Sequence, residues 1–349
     1  MRIHNLFWNC HVMVAGLALV LVASPALADC SVPISSVNTS NNSNVVGSGT
    51  PDSCTEDAFN QAINKGGTIT FNCGSSPYTL TLNSTKTIKQ DTVIDGGNLV
   101  TLSGGNQTRI LSIDTGNFLA SSPTLTVQNI TLANGYGPNS PDSGTASGGG
   151  AIYRFGGTLN VINSRFINNA GPASGQDDAG GAIYSIGTAT TTIVGSDFEG
   201  NQASNGGALG NIGNNLILVN STVNGNKATG TGGNPGNGGN GGGIYIDGNQ
   251  QNVSLCGDQV NNNQANQYGG AFIRVTYQGN PTTIDQSTIN GNSINTPGGF
   301  AAGIYNQGGN LNLTNSTVTN SQAAGAIASL VNVVVFSGSL NANNDTINP

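Results

Sequence analysis

The phrase Gly180-Gly181-Ala182-Ile183-Tyr184 also occurs as Gly149-Gly150-Ala151-Ile152-Tyr153. Looser forms are Gly206-Gly207-Ala208-Leu209, Gly242-Gly243-Ile244-Tyr245, Gly269-Gly270-Ala271-Phe272 and Ala302-Gly303-Ile304-Tyr305. From residue 125 onward each unit adds an alternating run such as Thr158-Leu159-Asn160-Val161, then a phrase such as Ser164-Arg165-Phe166-Ile167-Asn168-Asn169. The units recur every ~25–37 residues, an interval typical of solenoids. Three aliphatic columns result: Ile152, Ile183, Leu209, Ile244, Phe272 and Ile304; Val161, Ile193, Leu218, Leu255, Ile284 and Leu313; and Phe166, Phe198, Val223, Val260, Ile289 and Val318. Each apolar position sits in a run too short for a helix and flanked by Gly and Asn. Three short strands per unit, feeding one interior, describe a coil of a parallel β-helix, with coils stacked at ~4.8 Å. One coil cannot bury its own apolar face; the stack does.

The turns between such strands need positive φ, which Gly and Asn tolerate. Asn169, Asn201, Asn226, Asn263 and Asn292 form their own column, broken at Ser321, and are expected to hydrogen-bond along the axis. Length varies in Gly-rich insertions at 135–149, 171–179 and 230–241, which read as loops on one face. Ser53-Cys54-Thr55-Glu56 has capping-box spacing, and Ala58, Phe59, Ala62 and Ile63 then share one helical face before Gly66-Gly67. A short amphipathic helix over 53–66 would cap the open end of the solenoid. Residues 29–52 read as a polar lead-in, extended or mobile, and 53–349 as one β-helix domain.

These phrases resemble known proteins. The Gly-Gly-Ala-Ile and Phe-x-x-Asn repeats are similar to those of chlamydial polymorphic outer-membrane proteins. The opening Cys54-Thr55-Glu56, Ile69-Thr70-Phe71-Asn72-Cys73, Thr92-Val93-Ile94-Asp95-Gly96-Gly97 and Leu125-Thr126-Val127-Gln128-Asn129-Ile130-Thr131-Leu132 resembles secreted bacterial β-helix proteins of the pectate-lyase-like superfamily. The resemblance spans about residues 53–340 and implies an all-β, right-handed parallel β-helix with a short N-terminal capping helix. It says little about activity, because one fold hosts many. Polymorphic membrane proteins also carry a C-terminal barrel translocator, for which the residues after the last repeat leave no room.

Val12 to Ala23 is an apolar run, and Ala26-Leu27-Ala28 fits a small-x-small cleavage site, so residues 1–28 read as a signal peptide. Asp29 before Cys30 suits lipidation poorly. Both histidines, His4 and His11, leave with that segment, which excludes a Ser-His-Asp triad, a Cys-His pair and a histidine zinc site. The chain has a net charge of -7 and only 7% charged residues, so no nucleic-acid face is expected. Export permits disulfides. Cys54 is expected to pair with Cys73, because the helix and strand carrying them should pack together. Cys256 aligns with Val194 and Val219, too far from either; it is a free thiol, or Cys30 reaches it along the outside.

The superfamily resemblance implies, for lyases, a calcium ion held by acidic groups and an Arg or Lys base. Arg109, Arg154, Arg165, Lys227 and Arg274 are the basic candidates, and they are dispersed. Arg154 and Arg274 share a column but lie at least ~19 Å apart at the coil spacing, which suits solvated surface charge. Gly175-Gln176-Asp177-Asp178 resembles the double-aspartate phrase of pectin-type hydrolases, although the accompanying Asn-Thr-Asp and Gly-His-Gly phrases are missing. Asp177 and Asp178 are nevertheless the candidate calcium ligands; no other cofactor is indicated. Tyr153, Tyr184, Tyr245 and Tyr305 follow inward Ile positions, so alternation sends them outward, either as packing on the sheet or, with Arg154 and Arg274, as a binding face. Without a cluster of catalytic groups, the expected role is a secreted or cell-surface, structural or adhesion-type protein presenting a weakly charged face to a glycan or protein. The alternative is a pectate-lyase-like polysaccharide lyase or hydrolase. End-to-end self-association is also expected, because the C-terminal coil has no helical cap.

Overall fold

One coil is enough to trace the path. Leu209–Ile212, Leu216–Val219, Thr222–Asn224 and Lys227–Ala228 are successive strands, and Ile244–Asp247 opens the next coil in parallel register beside the first. In this computed structural model, which describes residues 30–138, 147–277, 279–325 and 331–348, the cycle builds four parallel sheets. Sheet I has 11 strands, from Val45–Val46 to Leu340–Asn343, and sheet II has 10, from Tyr78–Thr81 to Thr346–Ile347. Sheet III has 5, from Gln202–Ala203 to Gln322–Ala323, and sheet IV has 9, from Lys86–Thr87 to Val333–Phe336. The chain is an all-β parallel solenoid with one α-helix among the described residues. The leader expected over 1–28 lies outside them.

The three aliphatic columns are ladders in register on sheets IV, I and II. Their members are buried in one continuous core, where each large side chain contributes about 1.5–3 kcal/mol. Phe166 and Phe198 stack with centroids 4.6 Å apart and planes 9° off parallel. The turn from sheet I to sheet II shows why Asn and Gly recur: Asn129, Asn163, Gly195, Asn220, Gly257 and Asn315 stand at one position, all with φ between 47° and 70°. That left-handed conformation is costly for branched side chains and tolerated by Gly and Asn.

The asparagine column forms the expected ladder, buried within the coils. Asn201 Oδ1 accepts from both the backbone N and Nδ2 of Asn169, and Asn226 Oδ1 does the same for Asn201. Asn263 and Asn292 continue the series. At the break, Ser321 Oγ is buried without a partner. A serine column runs in parallel: Ser196 Oγ accepts from Ser164 N and donates to Val194 O, and Ser221 repeats the arrangement. Asp258 interrupts it; one oxygen accepts from Ser221 N and the other from Cys256 N.

The helix spans Glu56–Lys65, shorter than the 53–66 expected. Its N-cap is Thr55, whose side chain accepts from Ala58 N. Ser53 instead ends a 3-10 turn, Pro51–Ser53, because Glu56 is drawn away from it. The Glu56 carboxylate accepts hydrogen bonds from Lys86, Asn83 and Ser84. Burial works against ionisation there, but the Lys86 and Asn83 hydrogen bonds outweigh it and hold the carboxyl at about 2. Phe59, Ala62 and Ile63 are buried against the end of the stack, and Gly66 ends the helix at φ 65°. Cys54 and Cys73 form the expected disulfide.

Of the two forms expected of the lead-in, extended or mobile, the structure takes the extended one. It is an extended strap laid across the outer face of sheet I and joined at its start by a Cys30–Cys256 disulfide, Cα–Cα 5.7 Å. Val37 exchanges two hydrogen bonds with the Gln128 amide, Thr39 donates to Asp95, and Asn42 donates to Thr70. Of the two roles open to Cys256, the structure takes the bridge. With a sequence separation of 226 between the cysteines, loop-closure entropy assigns the bond about 5 kcal/mol. At the other end the last described strands leave Phe336 and Leu340 58% and 40% exposed.

Candidate binding surfaces

Alternation does place Tyr153, Tyr184 and Tyr245 outside the solenoid lumen, but they do not face solvent. Their exposures are 2%, 1% and 0%. The Gly-rich insertions 171–179 and 230–241 fold back as a roof over the outer face of sheet IV. Tyr184 donates to the Asp177 carbonyl at 2.5 Å, and Tyr245 donates to Asp247 at 2.9 Å while accepting from Asn234 at 3.0 Å. The Arg109 guanidinium lies 4.7 Å from the Tyr153 ring centroid. Burial pushes the Tyr184 and Tyr245 phenols up, and the neighbouring aspartates add to it. The first three tyrosines of the column therefore pack a roofed second core with Ile186, Ile273 and Val275.

Arg154 and Arg274 are neither binding residues nor solvated surface charge; both are 0% exposed. Each stands two residues beyond an inward side chain, Ile152 or Phe272, so the same alternation turns it into the lumen. Arg154 donates to Ala189 O and Thr191 Oγ1, and Arg274 to Asn280 O, Gln251 O and Thr282 Oγ1. From Leu125 onward, Thr191 and Thr282 are the two polar residues of a sheet I column that is otherwise Leu or Val at Leu125, Leu159, Leu216, Val253 and Leu311. Those two interruptions in an apolar column were the available sequence signal. Burial lowers both guanidinium pKa values to about 10, leaving them charged at neutral pH.

Asp177 is exposed and Asp178 half-buried. Burial raises the Asp178 carboxyl; a hydrogen bond from Ser147 opposes this and Asp177 adds to it. Among the described residues no group of three His, Cys, Asp or Glu side chains converges to hold a metal. Arg165 lies on the open face of sheet II, 3.9 Å from both Asp197 and Glu199.

Two features escaped the sequence reading. Tyr305, the last tyrosine of the column, is only half-buried and packs with Tyr268 and Phe300. Ring centroids in this trio are 4.8, 5.6 and 5.9 Å apart, and Tyr305 donates to Gln307 Oε1. Tyr268 and Phe300 continue the bridge position of Asn240, just before the glycine phrase. That position turns aromatic in these two coils, so reading one column further left would have found it. The second feature is a cleft of about 500 Å³ beside sheet IV, lined by Lys89, Asp91, Asp114, Gln90 and Thr115. Asp91 and Asp114 each have one oxygen occupied by a backbone N–H, from Thr124 and Gly116. Asp114 joins Lys89 and Asp91 only in space, so these three charges offered no motif.

No helix among the described residues is long and apolar enough to cross a membrane. No family model and no curated protein matches the chain.

Proposed function

We propose that this is an extracellular, non-catalytic β-solenoid of structural or adhesion type that binds an uncharged glycan at the Tyr268–Phe300–Tyr305 patch. Two disulfides suit an oxidising compartment. The observation that carries the reading is the aromatic trio: three rings held by mutual packing, half-open to solvent, with no carboxylate bonded to them among the described residues. Rigid aromatic faces bind sugar rings at low entropic cost. The net charge of -7 disfavours polyanionic partners. Binding to a panel of neutral polysaccharides tests this. Y305A and F300A should each weaken affinity about tenfold, and the Tyr268, Phe300, Tyr305 triple alanine variant should abolish it. Undiminished binding by the triple variant would sink the proposal.

The Lys89 cleft favours a second reading, a polysaccharide lyase, because it brings a lysine beside two carboxylates. Release of unsaturated oligosaccharides from a uronate polymer, lost in K89A, would establish it.

A further inference from the structure

The strap is fastened unevenly. From Val37 onward, hydrogen bonds tie it to Gln128, Asp95 and Thr70. Over 31–36 no hydrogen bond joins it to the sheet among the described residues, and all but Ile34 are exposed. That stretch is held by Ile34, which packs with Val194, Val219 and Ile217, and by the disulfide. The outward sheet I column beneath it changes character in step. It is Asp95 and Gln128 where the strap is bonded, then Ile162, Val194, Val219 and Cys256 where it is only packed. The two disulfides also differ in access. Cys54 and Cys73 are 1% and 4% exposed beneath the helix, whereas Cys256 is partly open at the surface.

We propose that Cys30–Cys256 is a site of thiol–disulfide exchange that latches the strap, with a small external thiol as its reaction partner. An external thiolate attacks Cys256 Sγ, on the more exposed of the two residues; the S–S bond breaks and Cys30 leaves as a thiolate that takes up a proton. A mixed disulfide remains on Cys256. A second thiol equivalent displaces it, giving the Cys256 thiol and the oxidised external disulfide. Asp285 Oδ2 lies 3.9 Å from Cys256 Sγ. Its charge disfavours Cys256 as the leaving thiolate and so directs departure to Cys30; it also repels an anionic attacker. Asp285 thus acts as a positioning residue. Release frees residues 30–36 and uncovers the Val194–Val219 strip, while the bonded part of the strap stays in place.

Full-length folded protein is treated with graded reduced glutathione or cysteamine, trapped with N-ethylmaleimide and mapped by mass spectrometry. The mixed disulfide should sit on Cys256, and Cys30 should become alkylated about ten times faster than Cys54 or Cys73. New proteinase K cuts should appear within 31–36 with the circular dichroism unchanged. Cationic cysteamine should react faster than glutathione at equal thiolate concentration, and D285N should narrow the gap. C30S/C256S should show the same cuts without any thiol. Equal labelling of both pairs, a mixed disulfide on Cys30, or an uncut strap after reduction would each overturn the latch. An unchanged cysteamine preference in D285N would overturn the role of Asp285.

Discussion

Asn226→Leu should destabilise the protein by about 3–6 kcal/mol, with little change in the volume filled. Asn226 Oδ1 is the acceptor for both the N–H and the amide of Asn201, and its own amide donates to Phe198 O and Asn263 Oδ1. The side chain is 0% exposed, so water cannot replace these bonds. Leucine leaves the buried Asn201 N–H without its acceptor and takes a partner from the Asn201 amide and the Phe198 carbonyl, at about 1–3 kcal/mol each. Asn224→Ala, which removes one exposed contact to Asn262, should cost less than about 1 kcal/mol. Chemical denaturation of the two variants checks the contrast; similar midpoints would mean the buried ladder contributes no more than the surface one.

Asp258→Ser should stabilise the protein at neutral pH, by about 2–4 kcal/mol, and leave it nearly unchanged at pH 4. Burial raises the Asp258 carboxyl to about 8, against the opposing hydrogen bonds from Ser221 N and Cys256 N. A group whose folded pKa is raised favours folding most below its unfolded value, 3.8, and loses that contribution as pH rises through the folded one. Wild-type stability should therefore fall between about pH 4 and pH 8, at about 1.4 kcal/mol per pH unit at most. Serine would remove that slope. Its hydroxyl would accept from Ser221 N and donate to the Cys256 carbonyl, as Ser196 does to Val194. Thermal unfolding from pH 4 to pH 8 reads the effect directly; parallel curves for the two proteins would refute it.

Both predictions rest on ladders, and the ladders show what was readable beforehand. A column such as Val161, Ile193, Leu218 and Leu255 is a statement about period, and stacked parallel strands convert period into contact without further choice. The asparagine column was legible for the same reason. Arg154 was less so, although the rule that put Ile152 inside also put Arg154 inside; its distance from Arg274 pointed to solvated charge, and the pairing with Thr191 reaches into the next coil. The helix was placed within three residues at its start, but its cap moved to Thr55 because Lys86, thirty residues on, takes the Glu56 carboxylate.

The tyrosines divide the two kinds of knowledge most clearly. Alternation along a strand determined that Tyr153, Tyr184, Tyr245 and Tyr305 leave the lumen, because backbone geometry sets that locally. Whether an outward ring meets solvent depended on loops of irregular length. The roof covers Tyr184 and Tyr245 and leaves Tyr305 half-open beside Tyr268 and Phe300. The strap is the same case: Cys30 and Cys256 could each be seen, but their joining required the path of a segment with no period of its own. Repetition in the sequence determined the solenoid and its ladders, because neighbouring coils repeat the same contacts. Everything laid over the solenoid was decided only by tertiary structure, because non-repeating segments find their places through contacts distant in the chain.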